Sequence, residues 1–232
     1  MRRFWRRAGA GASAEARAYA SARLPRRGTP WLEADWCALD FELTGLHPRE
    51  DEIVSFGAIP IHQGRLQLRD AVTRLVRAPR ESSEAAIRVH GIRTVDVAHL
   101  PPLADAIAPL LRAITGRVLV VHTAAIERAF LRRALRAQGL RLRGPMVDTE
   151  VLGRLWLHER EGSLLRHLSL TDLAAALGLP AERPHDALGD AQTTAQAFIA
   201  LAAHLDSVRT ETVGTLSQAS RRLDSLGLLH GQ

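Results

Sequence analysis

The stretch Cys37–Leu46, CALDFELTGL, places two carboxylates inside an apolar run that is typical of a β-strand. Because side chains alternate between the two faces of a strand, Asp40 and Glu42 project together, and their apolar neighbours project the other way. Two adjacent carboxylates on a covered face repel each other and lose solvation, so they would be neutralised by protonation unless a cation lies between them. If the face is instead open to water at the strand end, no cation is needed. The pair alone leaves both explanations open.

The segments around this strand predict one α/β domain. Three segments with alternating apolar residues and short links predict an antiparallel meander: 36–43, 52–61 and 66–76. The following segments predict helices at 102–114 and 124–139, strands at 117–122 and 144–148, a short helix at 169–179 and a long final helix at 190–205. Strands that first pair antiparallel and then alternate with helices predict a mixed five-stranded sheet flanked by helices.

Two further carboxylates lie on apolar helix faces. Glu127 shares its stripe with Phe130, Leu131 and Ala134, and Asp190 shares its own with Thr194, Ala197, Phe198, Leu201 and Leu205. Both carboxylates are therefore predicted to face the interior. The alternative for Glu127 is a place at the edge of the stripe, where it would pair with Arg128 or Arg132.

His185 precedes Asp190 by five residues, which would place it about 140° round the same helix. It can therefore share a site with Asp190 only from the loop before the helix, and Pro184 favours such a non-helical approach. The alternative is an ordinary surface histidine. Asp148 precedes another helical segment, where an N-cap role is enough to explain it, so we place it outside the site.

The inward carboxylates predict a site for hard cations. Oxygen ligands without a cluster of histidine or cysteine favour Mg²⁺ or Mn²⁺ over zinc. Two such ions, about 3.5–4 Å apart, clamp the attacking and leaving oxygens of a phosphoryl displacement. The carboxylates of the first strand would then be tolerated because metal ions bind them.

The charge of the chain is concentrated at its N-terminus. All 31 basic residues are arginine, and the formal net charge is +6. The first thirty residues contain eight arginines and one glutamate, so the rest of the chain is close to neutral. We divide the chain into a basic N-terminal extension (1–33), a catalytic domain (34–207) and a C-terminal tail (208–232). The extension either attracts nucleic acid or is a solvated, partly helical arm.

Cysteine content and hydropathy indicate the cellular compartment. The one cysteine, Cys37, excludes an internal disulfide, which is typical of a reducing environment. No apolar run approaches the roughly 18–20 residues of a membrane span, and the N-terminus lacks the apolar core of a secretory signal. We therefore expect a cytoplasmic protein without a membrane partner.

Four segments occur in an order that is typical of one known family: DFELTGL (40–46), RVHGIRTVDVAHLPPL (88–103), HTAAIERAFL (122–131) and HDALGDA (185–191). Together they resemble the DnaQ-like 3′–5′ exonucleases of the DEDDh type, which are related to the proofreading epsilon subunit of bacterial DNA polymerase III. The resemblance covers about residues 35–205. It implies a ribonuclease H-like fold.

The resemblance also implies the roles of individual residues. Asp40, Glu42 and Asp190 match direct metal ligands, Glu127 matches the remaining acidic metal position, and His185 matches the general base. Leu43, Thr44, His90 and Ile126 match positions that line the pocket for the last nucleotide. Three positions depart from the family pattern, since Glu127 replaces Asp, Thr123 replaces Asn and Leu43 replaces the more usual Thr.

The implied activity is metal-dependent 3′–5′ hydrolysis that uses two Mg²⁺ or Mn²⁺ ions and releases nucleoside 5′-monophosphates. The partner would be the 3′ end of single-stranded DNA or RNA. One alternative is a binding module with impaired catalysis, which the changes at Glu127 and Thr123 motivate. Another is a proofreading subunit that associates with a DNA polymerase.

Overall fold

Strands and helices follow one another in the order expected for an α/β domain. The computed structural model describes residues 12–162, 167–180 and 184–219. Within these ranges the strands are β1 (Trp36–Leu43), β2 (Ile53–His62), β3 (Arg65–Leu66), β4 (Val72–Leu75), β5 (Val118–Val121) and β6 (Met146–Asp148). The helices in the same ranges are α1 (Ala14–Ser21), α2 (Glu84–His90), α3 (Thr94–Val97), α4 (Leu103–Ala106), α5 (Ala108–Ile114), α6 (Ala124–Ala137), α7 (Thr149–Glu161), α8 (Leu170–Ala176), α9 (Ala187–Val208) and α10 (Val213–Leu216).

The sheet is mixed, as predicted, with the order β3-β2-β1-β5-β6, and β4 also pairs with β2. β1 runs antiparallel to β2 and parallel to β5, which in turn is parallel to β6. Short links produce the antiparallel pairs, whereas helical crossovers produce the parallel ones. The strand that carries Asp40 and Glu42 therefore lies in the middle of the sheet.

The sheet has six strands because the third predicted strand is divided in two. β3 ends opposite Ile61 of β2, and β4 begins opposite Ala58. Five residues, 67–71, lie between β3 and β4, but only two residues of β2, Ile59 and Pro60, lie opposite them. The surplus residues form a 3₁₀ turn at Leu68–Asp70. β3 and β4 both pair with β2 and thus share one position of the predicted five-stranded sheet.

Helices cover both faces of the sheet. Leu39 and Phe41 pack in one apolar cluster with residues of α1, α5 and α6, whereas Trp36 and Ala38 pack in a second cluster with residues of α7, α8 and α9. Because side chains alternate along β1, Asp40 projects from the same face as Trp36 and Ala38, which is the face that α9 covers. Helix α9 packs along both β1 and β2 and brings its first turn to the same side.

The segments that flank this core also pack against it. Tyr19 of α1 is buried, and its hydroxyl donates to the Arg141 carbonyl at 3.2 Å. Near the other end, the Val213 N–H donates to the Thr29 carbonyl at 3.0 Å. The division of the chain at residues 33 and 207 stays a prediction, and residues 1–11 of the arginine-rich extension and 220–232 of the tail lie outside the described residues. Within the described residues, no helix combines the length and apolar character needed to cross a bilayer.

Candidate active site

Three of the predicted metal ligands meet where α9 crosses β1. Asp40, Glu42 and Asp190 each offer a carboxylate oxygen, and these three oxygens lie within 4.8 Å of one another. Glu42 is buried, whereas Asp40 and Asp190 keep part of their surface open to solvent. About 150 residues of sequence separate the strand carboxylates from Asp190, so the packing of α9 against the sheet creates this group.

The protein holds these carboxylates at an electrostatic cost. Burial raises the pKa of Asp40 well above its usual range, and the charges of Glu127, Asp190 and Glu42 raise it further. Burial also raises the pKa of Glu42 to about 8. The pKa of Asp190 is raised by burial as well, although His185 opposes that shift. A cation among the three carboxylates would lower all three pKa values and restore the charged forms.

Glu127 lies beside this group without joining it. Its side chain is 6% exposed in the first turn of α6, and its Oε2 atom has no hydrogen-bond partner among the described residues. Burial raises the pKa of Glu127 well above its usual range, the charge of Glu42 adds to the shift, and the Phe41 backbone N–H opposes it. Glu127 thus accepts a hydrogen bond from β1 and lies close enough to Glu42 to feel its charge.

The arrangement fits a hard divalent cation. Within the part of the chain that the structure describes, the buried Oε1 atom of Glu42 has no hydrogen-bond partner, and neither has Oε2 of Glu127. Buried carboxylate oxygens are rarely left unpartnered, because each costs its full desolvation free energy. Carboxylate oxygens are also the ligands that Mg²⁺ and Mn²⁺ prefer. The residues present therefore suit these ions.

His185 occupies the loop before α9, which confirms the predicted non-helical approach. Helix α9 begins at Ala187 with Asp186 as its N-cap, and His185 has the left-handed φ of 62°. The His185 backbone N–H donates to Oδ2 of Asp190 at 2.9 Å, so the histidine is tied to a predicted ligand. Its side chain is exposed. Its role as general base stays a prediction.

The residues predicted to line the nucleotide pocket have different environments. Nε2 of His90 lies 3.1 Å from the Leu43 carbonyl, and Nδ1 accepts the Ile92 N–H at 3.0 Å, so Nε2 carries the proton. Burial lowers the pKa of His90, which favours this neutral form. Leu43 is buried, and Ile126 is partly buried against the same apolar cluster.

Thr44 is engaged within the protein. Its hydroxyl donates to Asp51 and accepts the Glu52 N–H, both at 3.0 Å, and its side chain is fully buried. Its backbone N–H and carbonyl are paired with Glu52 and Ser83. The predicted contact of Thr44 with a nucleotide stays a prediction, whereas its place in the loop after β1 is clear.

Sequence reasoning missed the residues that hold this loop. The buried carboxylate of Asp51 accepts the His47 N–H at 2.9 Å as well as the Thr44 hydroxyl. Arg133 of α6 donates to the Pro48 carbonyl at 2.8 Å and to Glu52 at 2.7 Å. No local pattern marks an arginine whose partners are about 80 residues away in the chain.

Asp148 caps two helices. It is the N-cap of α7 and accepts the Glu150 N–H at 3.0 Å, which confirms the predicted role. It also accepts the N–H groups of Thr123 at 3.1 Å and Ala124 at 2.7 Å, and so holds the start of α6. Because Glu127 lies in the first turn of α6, these two hydrogen bonds also position Glu127. They depend on the pairing of β5 with β6, which places Asp148 beside the start of α6.

Comparison with known proteins identifies the family. The RNase_T exonuclease family matches residues 37–198, a span that contains all of the site residues discussed above. The chain belongs to this exonuclease family. A curated relative, the DNA polymerase III subunit epsilon-like protein of Rhodobacter capsulatus, is 34% identical over 197 residues, which are 84% of this chain and 27% of the relative. The chain thus spans about a quarter of that relative's length.

Solved structures of exonucleases share the fold. Exonuclease X in complex with 5′ overhanging duplex DNA has a TM-score of 0.61 and 21% identity, and the match covers 80% of this chain and 99% of that one. The nuclease domain of 3′hExo, a DEDDh family member bound to rAMP, has a TM-score of 0.58 and 18% identity, covering 77% of this exonuclease-family chain and 94% of the other. The family match and the relative confirm the predicted resemblance to the epsilon-like exonucleases, and the solved structures confirm the predicted ribonuclease H-like fold.

Proposed function

We propose that this protein is a 3′–5′ exonuclease that hydrolyses the terminal phosphodiester of a nucleic acid and releases nucleoside 5′-monophosphates. The observation that carries the proposal is the group formed by Asp40, Glu42 and Asp190, with ligand atoms within 4.8 Å of one another. The exposed His185 lies in the adjoining turn. Membership of the exonuclease family supports the same reaction class.

The cofactor of the proposed reaction is a pair of Mg²⁺ or Mn²⁺ ions. Asp40, Glu42 and Asp190 would hold them, and Glu127 would contribute from the edge of the group. Bound there, the ions would supply charge neutralisation at the phosphate and a nucleophilic water at neutral pH. The unpartnered oxygens of Glu42 and Glu127 support this assignment.

His185 would act as general base by accepting the proton of the attacking water at a ring nitrogen. Its exposed side chain can release that proton to solvent, and the hydrogen bond from its backbone to Asp190 holds it beside the metal ligands. Leu43 and Ile126 would contact the terminal base or sugar through apolar surface. The neutral ring of His90, fixed by the Leu43 carbonyl, would close the pocket.

The proposed partner is the 3′ end of single-stranded DNA or RNA in the cytoplasm. One similar structure is a complex with 5′ overhanging duplex DNA and another is bound to rAMP, so both sugars enter the test. Association with a DNA polymerase is a further proposal, which the name of the Rhodobacter relative supports. Co-purification with a polymerase would test that association separately from hydrolysis.

A direct assay tests the reaction. The purified chain is incubated with DNA and RNA oligonucleotides labelled at the 5′ or the 3′ end, with Mg²⁺, Mn²⁺ or EDTA. We expect 5′-labelled strands to shorten stepwise, 3′-labelled strands to release labelled mononucleotide at once, and EDTA to stop both. Internal cuts, shortening from the 5′ end, or hydrolysis in EDTA would each contradict the proposal.

The second candidate function is a binding module with impaired catalysis. The observation that favours it is Glu127, which lies outside the group of three close carboxylates. A chain that binds oligonucleotides in Mn²⁺ without shortening them would support this candidate. Glu127→Asp would then separate the two candidates further, since recovery of hydrolysis would assign the impairment to that one methylene.

A further inference from the structure

Gly57 lies under the start of α9, where this helix approaches the strand that carries Asp40 and Glu42. It belongs to β2 and stands opposite Asp40 in the β1–β2 register. A Cβ atom at this position would lie 2.1 Å from the Ala187 carbonyl oxygen, 2.3 Å from the Ala187 carbonyl carbon and 2.5 Å from the Leu188 nitrogen. The backbone of α9 therefore rests directly on the backbone of β2, closer than any side chain would allow.

We propose that Gly57 is a positioning residue that sets the distance between the strand carboxylates and the carboxylate of α9. The absence of a side chain at Gly57 lets α9 approach β2 closely enough for Asp190 to reach Asp40 and Glu42. This inference rests on the proposed function for its consequence in catalysis. The geometric part concerns metal binding and can be measured without any substrate.

The first turn of α9 would move as one unit if Gly57 gained a side chain. Oδ1 of Asp186 accepts the Gly189 N–H at 2.9 Å, and the Asp190 N–H donates to the Asp186 carbonyl at 2.8 Å. Oδ2 of Asp190 accepts the His185 N–H at 2.9 Å. A displacement of Ala187 is therefore transmitted to both the predicted ligand and the predicted base.

Gly153 of α7 is also closely packed, but it differs from Gly57 in the atoms that a side chain would meet. A Cβ at Gly153 would meet side-chain atoms of Leu173 at 2.7 Å and of Leu168 at 2.9 Å, and these side chains can change rotamer. At Gly57 the three nearest atoms all belong to the backbone of α9, so relief requires the helix itself to shift. Gly153 in α7 is thus a matched control, a close glycine that does not support a site residue.

The experiment measures Mn²⁺ binding by calorimetry and by electron paramagnetic resonance in the full chain. We expect Gly57→Ala to weaken Mn²⁺ affinity by about tenfold or more, the size of effect seen when groups that orient metal ligands are lost. Gly153→Ala should bind Mn²⁺ like the wild-type chain, even if it melts at a lower temperature. Hydrolysis by Gly57→Ala should fall mainly in kcat, because the nucleotide pocket of β1 and α2 is not displaced.

A longer ligand provides a rescue that a general loss of stability would not. Asp190→Glu alone should weaken Mn²⁺ binding, since its carboxylate would overshoot a tightly set distance. In the Gly57→Ala background the same change should recover part of the lost affinity. Absence of any recovery would assign the effect of Gly57→Ala to disorder of α9 rather than to distance, and would overturn the proposal.

The remaining outcomes separate this inference from the proposed function. Wild-type affinity in a folded Gly57→Ala chain would overturn the role of Gly57 and leave the proposed function intact. A wild-type chain that binds no Mn²⁺ would overturn both. If Gly57→Ala does not fold, the Mn²⁺ affinity of the Asp190→Glu single variant tests the proposal instead. Unchanged affinity in that variant would show that the distance between the carboxylates is not tightly set and would overturn the proposal.

Discussion

The two halves of the candidate site are built in different ways. The strand half, Asp40 and Glu42, lies on a central strand that is paired on both sides near its start, and Glu42 is 7% exposed. The helix half, His185 and Asp190, lies at the start of α9, where hydrogen bonds within a six-residue segment hold it and His185 is exposed. A site of this kind would combine fixed metal ligands with a proposed base that water and substrate can reach.

Loss of a ligand on the strand half should have the largest effect. Asp40→Asn removes a charge that both ions would share, so we expect hydrolysis to fall to background and Mn²⁺ binding to be lost. Calorimetry and the oligonucleotide assay measure the two effects. Asp186→Asn is the control on the helix half, since Asn is an equally good N-cap and the change removes a nearby charge but no predicted ligand. Equal losses in both variants would contradict the assignment of Asp40.

Loss of the base on the helix half should affect the rate alone. His185→Ala should lower kcat by about 10² to 10⁴, the usual contribution of general-base catalysis, while Mn²⁺ affinity stays near that of the wild-type chain. His62→Ala is the control, because His62 is also exposed and pairs with Asp35 at the far end of β2. An unchanged rate in His185→Ala would remove the histidine from the mechanism.

The strand half should also make the metal-free protein sensitive to pH. Because the folded pKa of Glu42, about 8, lies above its ordinary value of 4.5, the folded state binds this proton more tightly than the unfolded chain does. The resulting stability is fully present below pH 4.5 and is lost as the pH rises toward 8. We expect thermal melts in EDTA to show this loss for the wild-type chain.

Glu42→Gln isolates the contribution of that one carboxylate. The amide imitates the protonated acid at every pH, so the metal-free variant should match the wild-type chain near pH 5 and exceed it near pH 8, by on the order of 1 kcal/mol or more. Added Mn²⁺ should stabilise the wild-type chain at pH 8 far more than it stabilises the variant. A variant with the same pH profile as the wild-type chain would contradict the raised pKa.

The smallest expected effect concerns α6, which belongs to neither half. Thr123 precedes this helix with a left-handed φ of 59°, a conformation that β-branched residues rarely adopt. Thr123→Asn should stabilise the protein by about 1 kcal/mol, because Asn tolerates this region better, and should leave Mn²⁺ affinity unchanged. Denaturant unfolding measures the difference. Destabilisation would instead show that the contact of the Thr123 hydroxyl with Glu150, at 3.2 Å, outweighs the backbone strain.

Sequence alone determined which way the charged side chains face. The two-residue period of a strand placed Asp40 and Glu42 on one side, and the helical period turned Glu127 and Asp190 inward. Pro184 indicated correctly that His185 approaches from a loop. These inferences succeeded because each depends on backbone geometry within a few residues, which a short stretch of sequence specifies.

Tertiary structure decided the distances between those faces. The packing of α9 against Gly57 brings Asp190 to the strand carboxylates, Glu127 of α6 stays outside the group of three, and the pairing of β5 with β6 lets Asp148 cap α6. The surplus of residues opposite β2 likewise divides the third strand. Such distances depend on the packing of elements that are far apart in the chain, and the periodicity of a short stretch of sequence does not specify that packing.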